Sequence, residues 1–445
     1  MKLSEIDRTL REIRVSPVKS LGQNFLHDQN LARLIVERAG VAKDDFVVEI
    51  GPGLGALTAV ALESGARVLA IEKDARLAAF LGERFRGSAL EVIHADALEF
   101  DLRPLFAERN VKLIANLPYY VSSQLVLKFT AYPSPISLWL LMLQKEMARR
   151  ISAQPRSADY GALTLLIQLH CRVEYLRTVP AAVFVPQPEV DSALVRITPR
   201  RAGELPAHHP DAFRQLVRTG FSQRRKQLQK LLRDRVPDWE QVAARCRFDP
   251  KARAEELSLG QWIELSNLTT VQPADGHESG PEELFAVVDE KDRETGAAPR
   301  REVHANNLLH RAVHILIFNR HGEIFLQKRS PWKDRHPLLW DSSAAGHVAA
   351  GEKYGDAARR ELLEELGVEA ELEQVAKLPA SEQTGQEFIC IYRGTHEGPF
   401  ELAAREIEFG DFFAVNVVSA WIDARPYDFA PGFLECWRAL PAAGN

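Results

Sequence analysis

The stretch Asp45-Phe-Val-Val-Glu-Ile-Gly-Pro-Gly-Leu-Gly55 decides the fold of the first half of the chain. A short apolar run, typical of a buried strand, ends in three glycines spaced two apart, and a helical stretch follows. Three later runs of the same character, at residues 65–71, 90–94 and 111–115, predict further strands. Strands that alternate with helical stretches predict a parallel, doubly wound α/β sheet.

The remainder of the chain changes character twice. Between residues 211 and 264, apolar residues recur every three or four positions, which predicts a small helical subdomain. Residues 269–281 are polar and rich in Pro and Gly, which predicts a linker. Beyond it, residues 308–318 and 324–328 predict two strands joined by a turn at 319–322. A helix is predicted from 355 to 366, where Gly367 ends it.

These patterns divide the chain into four predicted parts: an α/β domain (1–200), a helical subdomain (201–268), a linker (269–281) and a mixed α/β/α domain (282–445). The net charge changes sign at the linker. Residues 1–268 carry 38 Lys and Arg against 31 Asp and Glu, whereas residues 269–445 carry 18 against 30. A basic front half and an acidic back half predict different partners, although uneven surface charge would give the same pattern.

Composition excludes several classes of protein. Of the 445 residues, 46% are hydrophobic and 26% are charged, as in ordinary globular proteins. The longest apolar stretch, around residues 138–143, is too short to span a bilayer, and the charged N-terminal segment has no secretory core. The four cysteines form no CxxC pair, which excludes a disulfide framework or a thiolate zinc site. We therefore expect a cytoplasmic protein with no membrane partner.

The glycine-rich turn alone is weak evidence for a ligand. Its G-x-G-x-G spacing differs from the G-x-G-x-x-G of dinucleotide sites, and a tight turn without a ligand would look the same. Glu72 follows the second strand, where a carboxylate can accept hydrogen bonds from ribose hydroxyls.

Asn116-Leu117-Pro118-Tyr119, after the fourth strand, carries more specific chemistry. An exocyclic amine is a poor nucleophile because its lone pair is delocalised into the ring. An amide oxygen and a backbone carbonyl can accept its two N–H bonds, while an aromatic ring stacks on the base. The four residues supply all three groups, and methyl transfer from a sulfonium is mainly a matter of positioning.

Four motifs then occur in order: Ser20-Leu-Gly-Gln-Asn-Phe-Leu-His-Asp28, Glu49-Ile-Gly-Pro-Gly-Leu-Gly55, Asn116-Leu-Pro-Tyr-Tyr120 and Phe184-Val-Pro-Gln-Pro-Glu-Val-Asp-Ser192. Over about residues 15–265 they resemble the bacterial family of small-subunit ribosomal RNA adenine dimethyltransferases. The resemblance implies a Rossmann-like class I methyltransferase fold with a small helical C-terminal subdomain. It also implies S-adenosylmethionine as methyl donor. The expected reaction is N6-dimethylation of two adjacent adenines near the 3′ end of 16S rRNA in the immature small ribosomal subunit.

The resemblance also assigns residues to the donor and the target. The donor pocket would contain Asn24, Leu26, Gly51, Gly53, Glu72, Asp96 and Asn116. Within it, Glu72 would hold the ribose and Asp96 would contact the amine of the donor adenine. The catalytic set would be Asn116, Leu117, Pro118, Tyr119 and Phe184, with the two aromatic residues sandwiching the target adenine. Taken alone, Asp96 could cap a helix and Phe184 could belong to the core.

Two groups of cations predict an RNA-binding surface. Residues 221–230 place Arg224, Arg225, Lys226 and Lys230 on a predicted helical stretch. Arg149 and Arg150 form the second group. Lys and Arg near phosphates give a salt-dependent affinity for RNA, although a solvated helix face would carry the same charges.

A different motif decides the chemistry of the back half. Gly346-His-Val-Ala-Ala-Gly-Glu352 is followed after seven residues by Arg360-Glu361-Leu-Leu-Glu364-Glu365-Leu-Gly367-Val368. The segment fits G-x5-E-x7-R-E-U-x-E-E-x-G-U, where U is apolar, at all nine fixed positions. It is identified as the box of Nudix hydrolases, which implies an α/β/α Nudix domain and a diphosphate-containing small molecule as substrate.

The spacing of the glutamates explains the box. Glu361, Glu364 and Glu365 share one helix face and repel one another unless a cation lies between them. Mg²⁺ prefers such oxygen ligands, neutralises a diphosphate and activates water, with Glu361 and Glu365 as catalytic residues. Arg360 could orient a carboxylate and Glu352 could complete the metal shell. An exposed Glu-rich helix without a metal is the simpler alternative.

The flanks of the box are similar to the isopentenyl-diphosphate-isomerase branch of the Nudix proteins. The similar residues are His304, His310, Arg329, Trp340-Asp-Ser-Ser343 and Gly346-His347. The isomerase has a catalytic cysteine where this chain has Ala345, so we expect hydrolysis instead of isomerisation. His304, His310 and His347 could bind a metal, as their counterparts do, or could be structural.

Together these observations predict a fusion of an rRNA adenine dimethyltransferase with a Nudix hydrolase. Two alternatives stay open at this point. The Nudix half could be a binding or regulatory module without catalysis, and the front half could be an assembly factor that binds rRNA without methylating it.

Overall fold

The structure, a computed structural model, describes residues 3–16, 23–131, 133–200, 204–206, 208, 210–236, 238–269, 284–333 and 335–440. The predicted linker lies outside the described residues, apart from Thr269, which ends a helix. The described residues form two compact units, one up to Thr269, leaving out His208, and one from Leu284 onward. No helix in these ranges is long and apolar enough to cross a membrane.

The first unit is an α/β sheet domain followed by short helices. Its strands are β1 (Phe25–Leu26), β2 (Phe46–Ile50), β3 (Arg67–Glu72), β4 (Leu90–His94), β5 (Val111–Asn116), β6 (Ile136–Gln144), β7 (Cys171–Val179), β8 (Phe184–Val185) and β9 (Ser192–Pro199). Its helices are α1 (Leu3–Glu12), α2 (Gln29–Arg38), α3 (Ala56–Glu63), α4 (Ala75–Arg84), α5 (Ser122–Phe129), α6 (Lys145–Ile151), α7 (Ala162–Gln168), α8 (Pro210–Gly220), α9 (Leu228–Leu232), α10 (Trp239–Arg245) and α11 (Leu259–Thr269).

The main sheet of this unit has the order β4-β3-β2-β5-β6-β9-β7. The first five strands are parallel, as predicted, and the four strands expected between residues 45 and 116 are all present. A wholly parallel sheet is wrong at one edge, where β9 pairs antiparallel with both β6 and β7. Buried and more exposed positions mix along β7, as expected for a strand with one face towards solvent. Antiparallel strands at the edge of a sheet often have one face exposed in this way.

The predicted helical subdomain is present as α8 to α11 around a core that includes Phe213, Leu216 and Trp262. The predicted helical stretch over residues 221–230 is wrong for residues 221–227, because α8 ends at Gly220 and α9 begins at Leu228. Between them, Gln227 forms an isolated β-bridge with Arg253. The Leu228 N–H donates to the Ala252 carbonyl at 2.9 Å, so the backbone here bonds to a distant segment instead of continuing the helix.

The second unit is built on one mixed sheet. Its strands are β10 (Leu284–Val288), β11 (Glu294–Pro299), β12 (His310–Phe318), β13 (Glu323–Arg329), β14 (Trp340–Asp341), β15 (Ala344–His347), β16 (Glu373–Leu378), β17 (Glu387–Thr395) and β18 (Ile407–Ala414). Its helices are α12 (Arg300–Ala305), α13 (Tyr354–Leu366), α14 (Val415–Ala424) and α15 (Pro431–Ala439).

Strand β12 is central, pairing with β10, β13 and β15 antiparallel and with β17 in parallel. The apolar face of α13, which includes Ala357, Ala358 and Leu362, packs in the core with Val313 and Ile315 of β12. The predicted turn between β12 and β13 is confirmed. The predicted end of α13 is confirmed as well, since Gly367 adopts a left-handed φ of 68° there. This packing holds the box helix against β15.

Candidate functional site

All seven residues predicted to bind the donor line one cavity of about 150 Å³ in the first unit. Five of them come from the carboxyl ends of the neighbouring strands β2 to β5, or from the turns just beyond: Gly51, Gly53, Glu72, Asp96 and Asn116. Asn24 and Leu26 approach from β1. Parallel strands gather their carboxyl ends at one edge of a sheet, which is where open α/β sheets bind ligands.

The glycine turn shapes the floor of this cavity. Gly51, Gly53 and Gly55 all have positive φ, and a Cβ at Gly55 would lie 2.7 Å from the Phe85 ring. The Gly53 N–H donates to Glu72 Oε2 at 3.2 Å, and the Asp74 N–H donates to Oε1 at 2.9 Å. Burial raises the pKa of Glu72, and these two donors oppose that rise.

A second carboxyl group, Glu49, also lines the cavity and is 2% exposed. Burial raises its pKa to about 8, although the Thr58 hydroxyl donates to Oε2 at 2.6 Å. The residue is therefore largely protonated at neutral pH, whereas Glu72, Asp74 and Asp96 present the other carboxyl groups at the cavity. Sequence reasoning placed Glu49 in the motif but gave it no role.

Asn116 is held by its amide group. Its Nδ2 donates to the Asn24 carbonyl at 3.1 Å, which fixes the plane of the amide. Pro118 also lines the cavity, whereas Leu117 is buried and its N–H donates to the Met142 carbonyl at 3.1 Å. The amide oxygen of Asn116 stays available as an acceptor at the cavity.

Neither of the two aromatic residues predicted to stack on the target base is fully exposed in this structure. Phe184 is 2% exposed and belongs to the core beside β1. Stacking on a base would therefore require the residues packed over its ring to move. Tyr119 is half-buried, and its hydroxyl lies 2.8 Å from the Ser192 Oγ. The exposed ring at the cavity is Tyr120, 52% exposed, which sequence reasoning did not select.

The predicted RNA-binding cations are exposed but not equivalent. Arg224 donates to the carbonyls of Ala158 and Tyr160 at 2.7 and 3.2 Å, so it ties the turn to the loop before α7. Arg225 and Lys226 are exposed in the same turn. On α6, Arg150 pairs with Glu146 at 2.7 Å and Arg149 is exposed.

In the second unit the box residues converge on Arg360. Its guanidinium contacts Glu352 through two nitrogens, at 3.0 and 3.1 Å, and donates to Glu361 and Glu364 at 2.8 and 3.2 Å. A Cβ at Gly346 would lie 2.0 Å from the Glu361 carboxyl carbon, so only glycine lets Glu361 reach this position. Arg360 therefore lies among three glutamates of the box and fixes their positions by hydrogen bonds.

Glu365 lies deeper than its neighbours and is 2% exposed. Its Oε2 accepts hydrogen bonds from Gln327 Nε2 at 3.0 Å and from the Ala345 N–H at 3.1 Å. Burial raises the pKa of Glu365 to about 8, and Glu361 adds to the rise. A nearby cation would stabilise the ionised form of a carboxyl group buried in this way.

These glutamates open onto a cavity of about 770 Å³. The opposite walls come from segments distant in sequence and carry cations and histidines. They include Arg300, Arg329, Lys333, Arg335, His336 and Arg405. Arg329 Nη1 donates to Asp341 at 2.8 Å, and its Nε is buried with no partner among the described residues.

The three predicted histidines come together at one end of this cavity. Ligand atoms of His304, His310 and His347 lie within 4.8 Å of one another. Glu387 joins them, with Oε1 at 3.4 Å from the Nε2 atoms of both His310 and His347. Sequence reasoning missed Glu387, which lies opposite His310 in the parallel pairing of β12 and β17.

The protonation pattern of this cluster suits a cation. His310 Nδ1 lies 2.8 Å from the Leu308 carbonyl, so Nδ1 carries the proton and Nε2 presents a lone pair. That Nε2 is buried, and among the described residues it has no well-aligned hydrogen bond, only the 3.4 Å contact with Glu387. Burial lowers the pKa of His347 to about 4, which keeps its imidazole neutral. The lone pair of His310 Nε2, the neutral imidazole of His347 and a carboxylate oxygen of Glu387 thus face one another.

Comparisons with known proteins agree with the two units. The family model described as Ribosomal RNA adenine dimethylase matches residues 16–270, and the one described as NUDIX domain matches residues 308–432. Ribosomal RNA small subunit methyltransferase A of Geobacillus thermodenitrificans is 38% identical over 262 residues, 56% of this chain and 89% of that protein.

Two solved structures are similar to separate parts of the chain. A dimethyladenosine transferase from Plasmodium falciparum is 26% identical and covers 54% of this chain and 95% of its own, with a TM-score of 0.47. The Deinococcus radiodurans protein DR0079 is 28% identical and covers 32% of this chain and 90% of its own, with a TM-score of 0.30.

Proposed function

The chain belongs to the ribosomal RNA adenine dimethylase family and carries a Nudix hydrolase domain behind it, and on that premise we propose a reaction for each half. The front half dimethylates N6 of two adjacent adenines near the 3′ end of 16S rRNA, with S-adenosylmethionine as methyl donor. The observation that carries this proposal is the anchored amide of Asn116 at the edge of the strand-end cavity.

The residues around that cavity fit an adenosine-based donor. Glu72 can accept from ribose hydroxyls and Asp96 from an adenine amine, while the glycine turn lets the backbone approach. The donor supplies a methyl group on a positively charged sulfur. The Asn116 oxygen would accept an N–H of the target amine and turn its lone pair towards that methyl, so no ionised base is needed.

Mass spectrometry of 16S rRNA tests the methyltransferase proposal. Immature small subunits incubated with the full chain and S-adenosylmethionine should gain dimethyladenosine, and Asn116→Ala should abolish the gain. Asn30→Ala, which removes an exposed amide on α2, is the matched control. If rRNA binds but no dimethyladenosine forms, the front half is an assembly factor and the proposal is wrong.

We propose that the back half hydrolyses a diphosphate-containing small molecule with Mg²⁺. The oxygen-rich donor set fits this ion, because Glu361, Glu364 and Glu365 lie together. In this structure the guanidinium of Arg360 lies between Glu361 and Glu364 and balances their negative charge. The ion would neutralise the diphosphate and activate water. Arg360 and Glu352 would orient the carboxylates, and the cations across the cavity would face the phosphates.

A substrate panel tests the hydrolase. The full chain is incubated with Mg²⁺ and nucleoside diphosphate derivatives, dinucleotides or isopentenyl diphosphate. Glu365→Gln should abolish release of a phosphate-containing product, and Glu369→Gln, an exposed glutamate beyond α13, should not. Binding of a panel member without turnover would show a binding module instead.

The histidine cluster supports a second cation in the same domain. Three imidazoles and Glu387 are a nitrogen-rich set, which suits a transition metal better than Mg²⁺. Elemental analysis of the purified full chain should find about one such ion, lost in His347→Ala and kept in His321→Ala, an exposed control. Purification without metal, followed by no uptake of Zn²⁺ or Mn²⁺, would contradict the site.

A further inference from the structure

Lys73 occupies the rim of the donor cavity, between the two carboxylates assigned to the donor nucleoside. It directly follows Glu72 at the end of β3, and Asp96 lies two residues beyond the end of β4. All three residues line the cavity. Lys73 Nζ donates to Asp96 Oδ2 at 2.6 Å, so the side chain bridges the ends of two neighbouring strands.

The backbone around this bridge is held firmly. The Ala95 N–H donates to the Glu72 carbonyl at 3.1 Å, and His94 Nε2 lies 3.2 Å from the Lys73 carbonyl. The second oxygen of Asp96 accepts the Leu98 N–H at 2.9 Å. Both carboxylate oxygens of Asp96 therefore have one fixed donor each, and the plane of the carboxylate is set.

The pair is not explained by stability alone. The Lys73 side chain is 57% exposed, and ion pairs exposed to this degree contribute little to folding. Its position matters instead, because each oxygen of Asp96 keeps a lone pair for a further donor at the cavity. Lys73 also lowers the pKa of Asp96, which further favours the ionised form that accepts hydrogen bonds.

We propose that Lys73 is a positioning residue that holds Asp96 as an acceptor for the adenine amine of the methyl donor. Through Asp96, Lys73 contributes to the selection of adenine over purines that carry an oxygen at the same place. An adenine amine donates to the fixed carboxylate, whereas the carbonyl oxygen of hypoxanthine faces it as a second acceptor. This inference rests on the proposed donor site.

Direct binding separates this role from a structural one. Isothermal titration of the full chain with S-adenosylhomocysteine and S-inosylhomocysteine measures affinity and purine selectivity without turnover. Lys73→Met should weaken the adenine ligand about tenfold and reduce the selectivity by a similar factor. Lys73→Arg should restore most of both. Lys43→Met, which removes a lysine from another loop, should change neither.

Two further measurements complete the test. Adding Lys73→Met to Asp96→Asn should cause little additional loss, because Lys73 acts through Asp96. In methylation assays, the KM for S-adenosylmethionine should rise more than kcat falls. Unchanged affinity and selectivity in Lys73→Met would overturn the inference while leaving the donor site intact. Failure of the wild-type chain to bind S-adenosylhomocysteine would overturn the proposed function and this inference together.

Discussion

The donor cavity and the Nudix cavity are built in different ways from the same chain. The donor cavity, about 150 Å³, takes most of its polar residues from the ends of four adjacent parallel strands, in the spatial order β4-β3-β2-β5. The Nudix cavity, about 770 Å³, takes the glutamates of the box from one helix and its opposite walls from segments spread between residues 300 and 432. The strand order of the sheet alone brings the residues of the donor cavity together, whereas the walls of the Nudix cavity meet only when segments distant in sequence fold against one another.

The two cavities also neutralise their carboxyl groups differently. Glu49 is buried beside a hydroxyl and holds a proton, while Glu72 and Asp96 accept hydrogen bonds from N–H groups and a lysine. In the Nudix cavity one guanidinium contacts three glutamates. The first arrangement suits a ligand bound by hydrogen bonds. The second suits a metal ion that would take over the contacts Arg360 now makes with Glu361 and Glu364.

The largest effect should come from the strand-end site. Asn116→Ala removes the anchored acceptor, and methylation should fall by about 10²- to 10³-fold, the range seen when one positioned polar contact is lost. Affinity for S-adenosylhomocysteine should fall much less, because the other six residues remain. Single-turnover methylation together with titration calorimetry checks this. A loss confined to donor affinity, with single-turnover rates kept, would contradict the role in holding the amine.

A smaller effect is expected in the Nudix cavity from Gly346→Ala. The new Cβ would lie 2.0 Å from the Glu361 carboxyl carbon, so Glu361 must leave its place beside Arg360. Displacing an oriented ligand group costs about 10- to 100-fold in metal affinity or activity. Hydrolysis with Mg²⁺ titration measures this loss.

The control for that variant is Gly355→Ala, where a Cβ would lie an ordinary 3.7 Å from the Tyr392 hydroxyl. Methylation should be unchanged in both variants, since the two cavities belong to different units. Full hydrolysis by Gly346→Ala would show that Glu361 need not approach β15 as closely as it does here.

The difference between the cavities also explains what could be predicted from sequence. Strand ends in a parallel sheet gather automatically, so Gly51, Glu72, Asp96 and Asn116 could be placed together from their positions after apolar runs. The glutamates of the box could be grouped from helical spacing alone. For these residues, the local sequence pattern is enough to predict which side chains lie close together.

Other residues carry no such local signal. Glu387 reaches the histidines only through the pairing of β12 with β17, which depends on long-range register. The edge strands β7 and β9 and the break between α8 and α9 depend equally on contacts between distant segments. The burial of Phe184 follows from its pairing with Leu26 across 158 positions of sequence.

The protonation of Glu49 offers a further test of how the donor cavity neutralises its buried carboxyl groups. The pKa of Glu49 is raised to about 8, so between the ordinary value near 4.5 and about 8 the folded state binds more protons than the unfolded state. Stability of the first unit should therefore fall as pH rises through this window, by up to roughly 1.4 kcal/mol per pH unit. Glu49→Gln, which keeps an acceptor for Thr58, should flatten this slope.

Calorimetry of the full chain measures this slope, with the first unit identified by the transition that S-adenosylhomocysteine shifts. Glu63→Gln, an exposed residue of α3, is the matched control and should leave the slope unchanged. Equal slopes in wild type and Glu49→Gln would mean that Glu49 is ionised in the folded protein at neutral pH.

The smallest effect should lie outside both cavities, on the turn between α8 and α9. Arg225→Glu with Lys226→Glu removes two exposed cations, and the slope of rRNA affinity against salt should become shallower by about 1 for each lost phosphate contact. Arg224 is left unchanged because its hydrogen bonds to Ala158 and Tyr160 hold the turn. Arg245→Glu with Lys251→Glu reverses the same charge elsewhere in the helical subdomain, so an effect specific to the turn should be absent there. Filter binding at several salt concentrations measures the slopes, and equal slopes in the two double variants would mean that net charge, not this turn, attracts the RNA.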